Sequence, residues 1–257
     1  MDLKNSKIGL GIVTYNRPEY LVQTIKGVVK HLLKEVDSIW IYDDGSDEYY
    51  SEIYKNLPPQ IKVHVSKENK GVAVSKNWLI AKLIEEGCDY IFIGEDDIIP
   101  TNKKAITGYL KAAEATGISH MMFAHHGPAN LVEPVFKSEY IEGYPSCIGA
   151  WTFYTRDALQ DVGLHDENFT NAYEHVELTW RLVKAGYTTP WGAFTDVVNS
   201  HKWLKEIPES FNNSSIEKTP EWALKTVESL VYWRKKDPGF PLGEVLTDLE
   251  NDFGKDI

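Results

Sequence analysis

Short apolar runs alternate with longer amphipathic stretches along the first half of the chain. The runs have the length of buried strands, and the stretches carry apolar residues at helical spacing. The predicted strands are residues 7–15, 38–44, 61–66 and 89–97, and the predicted helices are residues 20–33, 72–87 and 103–116. Repeated strand–helix units of this kind predict an α/β fold, with a mostly parallel sheet that is flanked by helices on both faces.

The pattern changes from about residue 118, where the apolar segments become shorter. Strands are predicted over residues 119–126, 136–141, 149–155 and 188–198, and helices over residues 156–162, residues 174–186 and from Thr219-Pro220 onward. There is no internal repeat and no long linker. We therefore expect one domain over residues 1–205, with a C-terminal helical extension over residues 206–257 packed on it.

Composition narrows the class of protein. The chain has 257 residues and a formal net charge of −11, which disfavours broad binding to polyanions but leaves room for a local basic groove. Cys88 and Cys147 lie far apart and lack metal-ligand spacing, so we expect reduced thiols and a cytoplasmic protein. The N-terminal residues lack a signal-peptide pattern, and no apolar stretch approaches the roughly 18 residues that a membrane span needs.

Carboxylates follow two of the predicted strands. Glu95, Asp96 and Asp97 end the fourth strand, and Asp43 and Asp44 end the second. Ligands of parallel α/β sheets bind beyond the carboxyl ends of the strands, so we expect these side chains to converge at one rim. The triplet is a candidate metal site, because hard divalent cations prefer carboxylate oxygens. The alternatives are that the triplet caps the next helix and that Asp43 and Asp44 are ordinary turn residues.

Several separated motifs point to one family. Residues 8–20 contain neither GxGxxG nor GxxxxGK[ST], which disfavours a dinucleotide-binding dehydrogenase or a P-loop enzyme. The motifs that the chain does carry are TYNRP at 14–18, DDGS at 43–46, NKG at 69–71, EDD at 95–97, GLHDE at 163–167 and EHVELTWR at 174–181. In order and approximate spacing, over about residues 7–201, they resemble glycosyltransferase family 2, whose members have the Rossmann-like GT-A fold and use nucleotide-sugars.

The resemblance implies a binding site for a nucleotide-sugar donor. It assigns Asp97 to a divalent metal ion, Mn²⁺ or Mg²⁺, and Asp96 to the ribose or a bound water. It assigns Asp44 to the edge of the nucleobase, and Thr14 and Tyr15 to packing against that base. A carboxylate that accepts from a ring N–H would favour uracil over cytosine, so we expect a UDP-sugar.

Four further residues complete the donor side. Arg17 and Lys76 are candidates for binding the nucleotide-sugar, although a lysine on a helix face is more often solvated. Glu95 stands where the family more commonly has Asp or a small residue, which leaves its role open. Many GT-A enzymes supply a late histidine to the metal or pyrophosphate, and His201 is placed for that, the alternative being a plain loop residue.

The segment from residue 174 to 181 is the candidate acceptor side. The family commonly has Glu-Asp here, with Asp as the base, whereas this chain has Glu174-His175. Either side chain could take the proton from an acceptor hydroxyl. We favour Glu174, because His175 points about 100° around the helix from it; the alternative is that Glu174 only caps the helix. Glu177 and Arg181 are four residues apart and predict a structural ion pair.

Three further histidines, His120, His125 and His126, lie in one predicted strand. Alternation puts His120 and His126 on one face and His125 on the other. We expect them to border the acceptor pocket, and their arrangement argues against a three-histidine zinc site.

Together these features predict a metal-dependent, inverting, hexosyltransferase-like glycosyltransferase. Its acceptor would be a glycan or another hydroxyl compound, and a nucleic-acid acceptor is compatible with the sequence. The helix after residue 219 is expected to shape the acceptor side or a homodimer contact. The rivals are a nucleotidyltransferase of related fold, for which an Arg/Lys-rich loop near the N-terminus would be expected, and a non-catalytic carbohydrate-binding or scaffold protein.

Overall fold

The computed structural model of the protein describes residues 5–47, 50–125, 133–169, 172–208, 210 and 220–240. Its strands are β1 (Ile8–Thr14), β2 (Ser38–Asp43), β3 (Ile61–Val65), β4 (Tyr90–Glu95), β5 (Ile98–Pro100), β6 (His120–Met122), β7 (Phe136–Lys137), β8 (Ile141–Tyr144), β9 (Trp151–Thr155), β10 (Phe194–Val197) and β11 (Leu204–Glu206). Its helices are α1 (Pro18–His31), α2 (Tyr50–Lys55), α3 (Val72–Glu85), α4 (Lys104–Thr116), α5 (Arg156–Val162), α6 (Glu174–Lys184) and α7 (Pro220–Lys236). Within these residues, no helix has the length and apolar character that crossing a bilayer requires.

The central sheet has six strands in the order β3-β2-β1-β4-β9-β6. β1 lies parallel to β2 and β4, and β2 lies parallel to β3, while β9 runs antiparallel to β4 and β6. The predicted α/β class with a mostly parallel sheet is confirmed. Because parallel strands end at the same edge, the segments that follow Thr14, Asp43 and Glu95 meet there.

Helices cover both faces of this sheet, and alternation along the strands builds a core on each side. Leu10 and Ile12 of β1 belong to the larger core, with side chains of α1 and α4. Ile93 of β4 packs on the opposite face with Leu79 of α3. A Cβ at Gly11 would lie 2.9 Å from the Leu79 Cβ, so the missing side chain allows α3 to lie close to the sheet.

Two small antiparallel sheets, β10-β8-β7 and β11-β5, lie beside the central one. The strand predicted over residues 136–141 is divided by a turn, in which the Ser138 amide donates to the Ile141 carbonyl at 2.8 Å. The strand predicted over residues 188–198 is confined to β10, and the one over 119–126 to β6. The sequence pattern did not predict α2, β5 or β11, because elements this short contain too few positions to display a period.

α7 packs against α6 through rings and ion pairs. The rings of Trp233 and Phe240 stack with centroids 3.8 Å apart, and the Phe240 ring meets that of Trp180 at 5.3 Å. Lys236 pairs with Glu177 of α6 at 2.7 Å. The part of the extension that the structure describes therefore lies on the domain, while the division of the chain at residue 205 stays a prediction.

Candidate active site

The carboxyl ends of β1, β2 and β4 form one polar rim. The Thr14 carbonyl accepts from the Asp44 amide at 3.0 Å, and the Thr14 hydroxyl donates to Asp96 Oδ2 at 2.7 Å. A single residue at the end of β1 thus connects the acidic ends of the two neighbouring strands. The sequence-predicted residues Thr14, Asp44 and Asp96 are therefore together at one edge of the sheet.

The turn that carries Asp96 and Asp97 is fixed from both sides. Thr24 of α1 donates from its hydroxyl to the Asp96 carbonyl at 2.7 Å, and the Ile207 amide donates to the Asp97 carbonyl at 2.9 Å. Both acidic side chains are buried. The alternative that the triplet caps the next helix is wrong, because α4 begins only at Lys104, whose amide donates to Asn102 Oδ1 at 3.0 Å.

Arg17 forms a fork across this acidic turn. Its Nη2 lies 2.5 Å from Asp96 Oδ1 and its Nη1 lies 2.9 Å from Asp97 Oδ2. The left-handed backbone of Asn16, with a φ of 50°, bends the chain so that Arg17 returns to the rim. The Arg17 backbone amide in turn donates a hydrogen bond to the Tyr50 hydroxyl.

Burial sets the charge balance of this fork. It raises the pKa of Asp96 to about 7, against the opposing charge of Arg17. Burial also disfavours the Arg17 cation, but Asp96 and Asp97 outweigh it and raise the pKa of Arg17 above its ordinary value. The guanidinium therefore stays charged and neutralises part of the acidic turn.

The donor chemistry of the rim fits a hard divalent cation only in part. Asp97 offers carboxylate oxygens, and such ions are commonly held by one or two carboxylates together with substrate phosphates. Within the described part of the chain, no group of three or more His, Cys, Asp or Glu side chains is arranged to hold a metal ion. A cation at Asp97 would share that carboxylate with Arg17 and would need phosphate oxygens to complete its ligand set.

His201 is exposed and lies in the turn Ser200–Lys202, which precedes β11. Its ring meets that of His125 edge-on, with centroids 4.8 Å apart, and His125 Nε2 lies 3.1 Å from the Tyr144 hydroxyl. The structure places His201 in a histidine pair, and its proposed role toward a metal stays a prediction.

The other predicted histidines differ in environment. His120 is buried, with Nδ1 3.1 Å from the Phe153 carbonyl and Nε2 2.9 Å from the Thr179 hydroxyl. Its ring also stacks on Tyr154, with centroids 4.6 Å apart. His120 is therefore a packed interior residue and does not border an open pocket. His126 lies outside the described residues.

Asp44 uses both of its carboxylate oxygens to hold the turn before α3. Oδ1 accepts from the Lys70 amide at 2.8 Å and Oδ2 from the Gly71 amide at 2.9 Å. Burial raises the pKa of Asp44, against these two hydrogen bonds. Asp43 is an ordinary turn residue, as the alternative interpretation predicted, because its Oδ1 accepts from the Ser46 amide at 2.8 Å. The nucleobase role of Asp44 stays a prediction.

Lys76 is fully buried, so the alternative of a solvated lysine is wrong, and its role toward the nucleotide-sugar stays a prediction. Its Nζ lies 3.0 Å from Glu95 Oε1 and 3.2 Å from Glu174 Oε1, and it donates to the Gly149 carbonyl at 3.3 Å. Glu95, whose role the sequence left open, is thus an ion-pair partner of Lys76.

Glu174 and His175 are the first two residues of α6, after Tyr173 in a left-handed conformation with a φ of 69°. Glu174 Oε1 lies 3.4 Å from His175 Nδ1, so the expectation that the two side chains diverge is wrong. His175 Nε2 lies 2.9 Å from the Cys147 carbonyl oxygen. Burial would raise the pKa of Glu174, but Lys76 and His175 outweigh it and hold that pKa well below its ordinary value.

Arg181 anchors α6 behind this site through one ion pair and two hydrogen bonds. Arg181 Nη2 lies 2.8 Å from Glu177 Oε2, as predicted from their spacing. The same guanidinium donates to the Val162 and Leu164 carbonyls. The last turn of α6 is therefore held to the end of α5 and the loop after it, while its start is held to Lys76 through Glu174.

Sequence reasoning missed Tyr50 and the Cys147 carbonyl, and it gave Gly149 no individual role. Tyr50 lies in the short helix α2, and its hydroxyl lies 3.3 Å from that of Thr14. A Cβ added at Gly149 would lie 2.7 Å from His175 Cγ. Of these, only Gly149, which lies just before the start of β9 near the rim, offered a signal in the sequence.

Comparisons with known proteins agree with this architecture. The family model described as Glycosyl transferase family 2 matches residues 10–132. Among solved structures, S. aureus TarS 1–349 is 16% identical with a TM-score of 0.55, over 85% of this chain and 65% of that chain. GalNAc-T7 with UDP, GalNAc and Mn²⁺ is 14% identical with a TM-score of 0.60, over 76% of this chain and 43% of that chain.

A curated relative gives a weaker match. It is an uncharacterised glycosyltransferase of Rickettsia bellii, 27% identical over 145 residues, which cover 56% of this chain and 19% of the relative. The chain thus spans about a fifth of that relative's length. The fold is the GT-A fold of these structural neighbours. The stretch over residues 10–132 is similar to glycosyl transferase family 2.

Proposed function

We propose that the chain transfers a sugar from a nucleotide-sugar, with a UDP-sugar favoured, to an acceptor hydroxyl. The observation that supports this most is the rim itself, where Thr14 joins the ends of the strands that carry Asp44 and Asp96. The names of the structural neighbours support the choice of donor, because TarS is recorded in complex with UDP and with UDP-GlcNAc.

The proposed chemistry is a displacement at the anomeric carbon that inverts its configuration. A divalent cation, Mn²⁺ or Mg²⁺, would supply charge stabilisation to the departing diphosphate when bound. Asp97 would hold that cation, and Arg17 would place a guanidinium beside the same developing charge. Holding donor and acceptor together removes part of the entropic cost of the reaction.

Glu174 is proposed as the group that takes the proton of the acceptor hydroxyl, and His175 as the alternative. The low pKa of Glu174 keeps its carboxylate ionised and able to accept a proton at neutral pH. A carboxylate this acidic is a weak base, so proton transfer would come late in the displacement. The acceptor is proposed to be a glycan or another hydroxyl compound. The domain division, the homodimer and the cytoplasmic location remain predictions.

A turnover assay tests this proposal. UDP release from a panel of UDP-sugars, UDP-GlcNAc among them, is measured with and without Mn²⁺ for the wild type, Asp97→Asn and Glu114→Gln. We expect Mn²⁺-dependent release in the wild type, its loss in Asp97→Asn, and full retention in Glu114→Gln, whose side chain is exposed on α4.

Three outcomes would contradict it. Nucleotide binding without turnover would favour a carbohydrate-binding or scaffold protein. Attack at the α-phosphorus, seen as release of sugar 1-phosphate in place of UDP, would favour a nucleotidyltransferase. Full activity of Asp97→Asn would contradict the assignment of Asp97 to the metal ion. The anomeric configuration of the product, determined by NMR, tests inversion separately.

A further inference from the structure

Lys76 is a buried cation in the interior of the domain. Its side chain is 1% exposed, at a position on α3 that faces the sheet. Burying an ammonium costs several kcal/mol unless opposite charges and hydrogen bonds compensate it. Here Glu95 and Glu174 outweigh burial and raise the pKa of Lys76 above its ordinary value. The charge of Lys76 is therefore a stable feature of the fold.

The hydrogen-bonding capacity of this ammonium is fully used. A lysine has three N–H donors, and Nζ of Lys76 has three acceptors, which lie 3.0 Å, 3.2 Å and 3.3 Å away in Glu95, Glu174 and the Gly149 carbonyl. This arrangement leaves no donor for a diphosphate. A direct contact between Lys76 and a nucleotide-sugar would require one of the three bonds to break.

The two acidic partners belong to opposite sides of the proposed reaction. Glu95 ends β4 immediately before the turn that carries Asp96 and Asp97. Glu174 begins α6 and is the proposed proton acceptor. One buried ammonium thus lies between the donor-binding turn and the group that would act on the acceptor.

We propose that Lys76 is a positioning residue that holds Glu174 as an anion and joins the start of α6 to the acidic end of β4. This inference rests on the proposed function, because it gives Lys76 a purpose only if Glu174 accepts a proton. Lys76 is also the foremost cause that lowers the pKa of Glu174. Without Lys76, burial would act unopposed by that charge and would raise the pKa.

The test is the pH dependence of kcat/KM for sugar transfer in Lys76→Met. The acid limb of this profile reports the pKa of the essential base in the free enzyme. We expect the limb to move to higher pH by about one unit or more, which is a tenfold loss of activity at a pH on the limb. The matched control is Lys82→Met, on the same helix, whose partner Glu85 is exposed; its limb should not move.

Further variants separate positioning from folding. Lys76→Arg keeps a cation and should restore the limb toward its wild-type position. If Lys76→Met does not fold, the double variant Lys76→Met, Glu95→Gln carries the same expectation, because it leaves one buried carboxylate where Lys76→Met leaves two. Binding of UDP, measured by calorimetry, should be retained in each variant that folds.

An active wild type with an unshifted limb in Lys76→Met, or in the double variant, would overturn the inference and leave the proposed function intact. A large loss of UDP binding in Lys76→Met alone would instead favour a phosphate contact and would also overturn it. A wild type that turns over no nucleotide-sugar would defeat the proposed function itself, so the two failures are distinguishable.

Discussion

Gly149 lies at the centre of the candidate site, and replacing it by alanine tests whether that site is tightly packed. Its φ is +76°, a left-handed conformation, and an added Cβ would lie 2.7 Å from Cγ of His175. Gly117, which ends α4, provides a matched control. Its φ is +75°, but no atom lies within 4 Å of the Cβ that alanine would add.

The structure separates two contributions to the loss of stability that each alanine causes. Both alanines pay for a left-handed backbone, which destabilises a residue with a Cβ by roughly 1–2 kcal/mol. Only Gly149→Ala also forces an atom against a packed ring, and such overpacking costs roughly 1–3 kcal/mol. We therefore expect Gly117→Ala to lower the free energy of unfolding by about 1–2 kcal/mol and Gly149→Ala by about 2–5 kcal/mol.

Urea unfolding of the two variants measures the difference, and midpoints are comparable where the slope m is unchanged. Gly149→Ala should also lower the rate of sugar transfer, because His175 must move, while Gly117→Ala should retain it. Adding His175→Ala to Gly149→Ala should recover part of the steric loss, as a double-mutant cycle would show. The recovery is incomplete because the Cβ that alanine keeps at residue 175 would still lie 2.9 Å from the added Cβ. Equal destabilisation of the two single variants, with equal activity, would refute the packing argument.

Two further changes test the electrostatics of the described residues. Arg17→Gln removes the guanidinium that pairs with Asp97. The affinity for Mn²⁺, measured by calorimetry without nucleotide, should therefore rise by about tenfold, or about 1.4 kcal/mol. An unchanged affinity would show that Arg17 does not compete with a cation. Burial lowers the pKa of His120 to about 4, below its ordinary value, so the unfolded chain binds this proton at higher pH than the folded chain does. Stability should fall as the pH drops from about 6.5 toward 4, by up to about 1.4 kcal/mol per unit for this group, and His120→Gln should flatten the measured slope; an equal slope in the variant would contradict this.

The fold was predictable where local signals agree with each other. α5 was predicted with the bounds it has, because Thr155 supplies a hydroxyl that accepts from the Ala158 amide, and Gly163 follows the last turn. α1 begins at Pro18, which suits the first turn of a helix. β5 and β11 could not be predicted in this way. Each has three residues, and each exists because the other pairs with it across the chain.

The acidic rim was predictable because the rule for parallel strand ends does not depend on side-chain detail. The fork of Arg17 was not predictable. It depends on the left-handed backbone of Asn16, and it commits two carboxylates that the sequence assigned to a metal and a ribose. Arg17 thus competes with a cation for Asp97. Only the path of the chain after β1 brings Arg17 to that carboxylate.

Lys76 lies between these two cases. Leu79, Ile80 and Leu83 follow it at three, four and seven residues, and that spacing places Lys76 on the apolar face of α3. Helical periodicity therefore predicts a buried lysine, and weighing the residue type above its position gave the wrong expectation. A buried ammonium also requires carboxylate partners, so at least one acid of the chain had to be committed to it. Periodicity cannot name that acid, because Glu174 lies 98 residues away and reaches Lys76 only through the packing of α6 against the sheet.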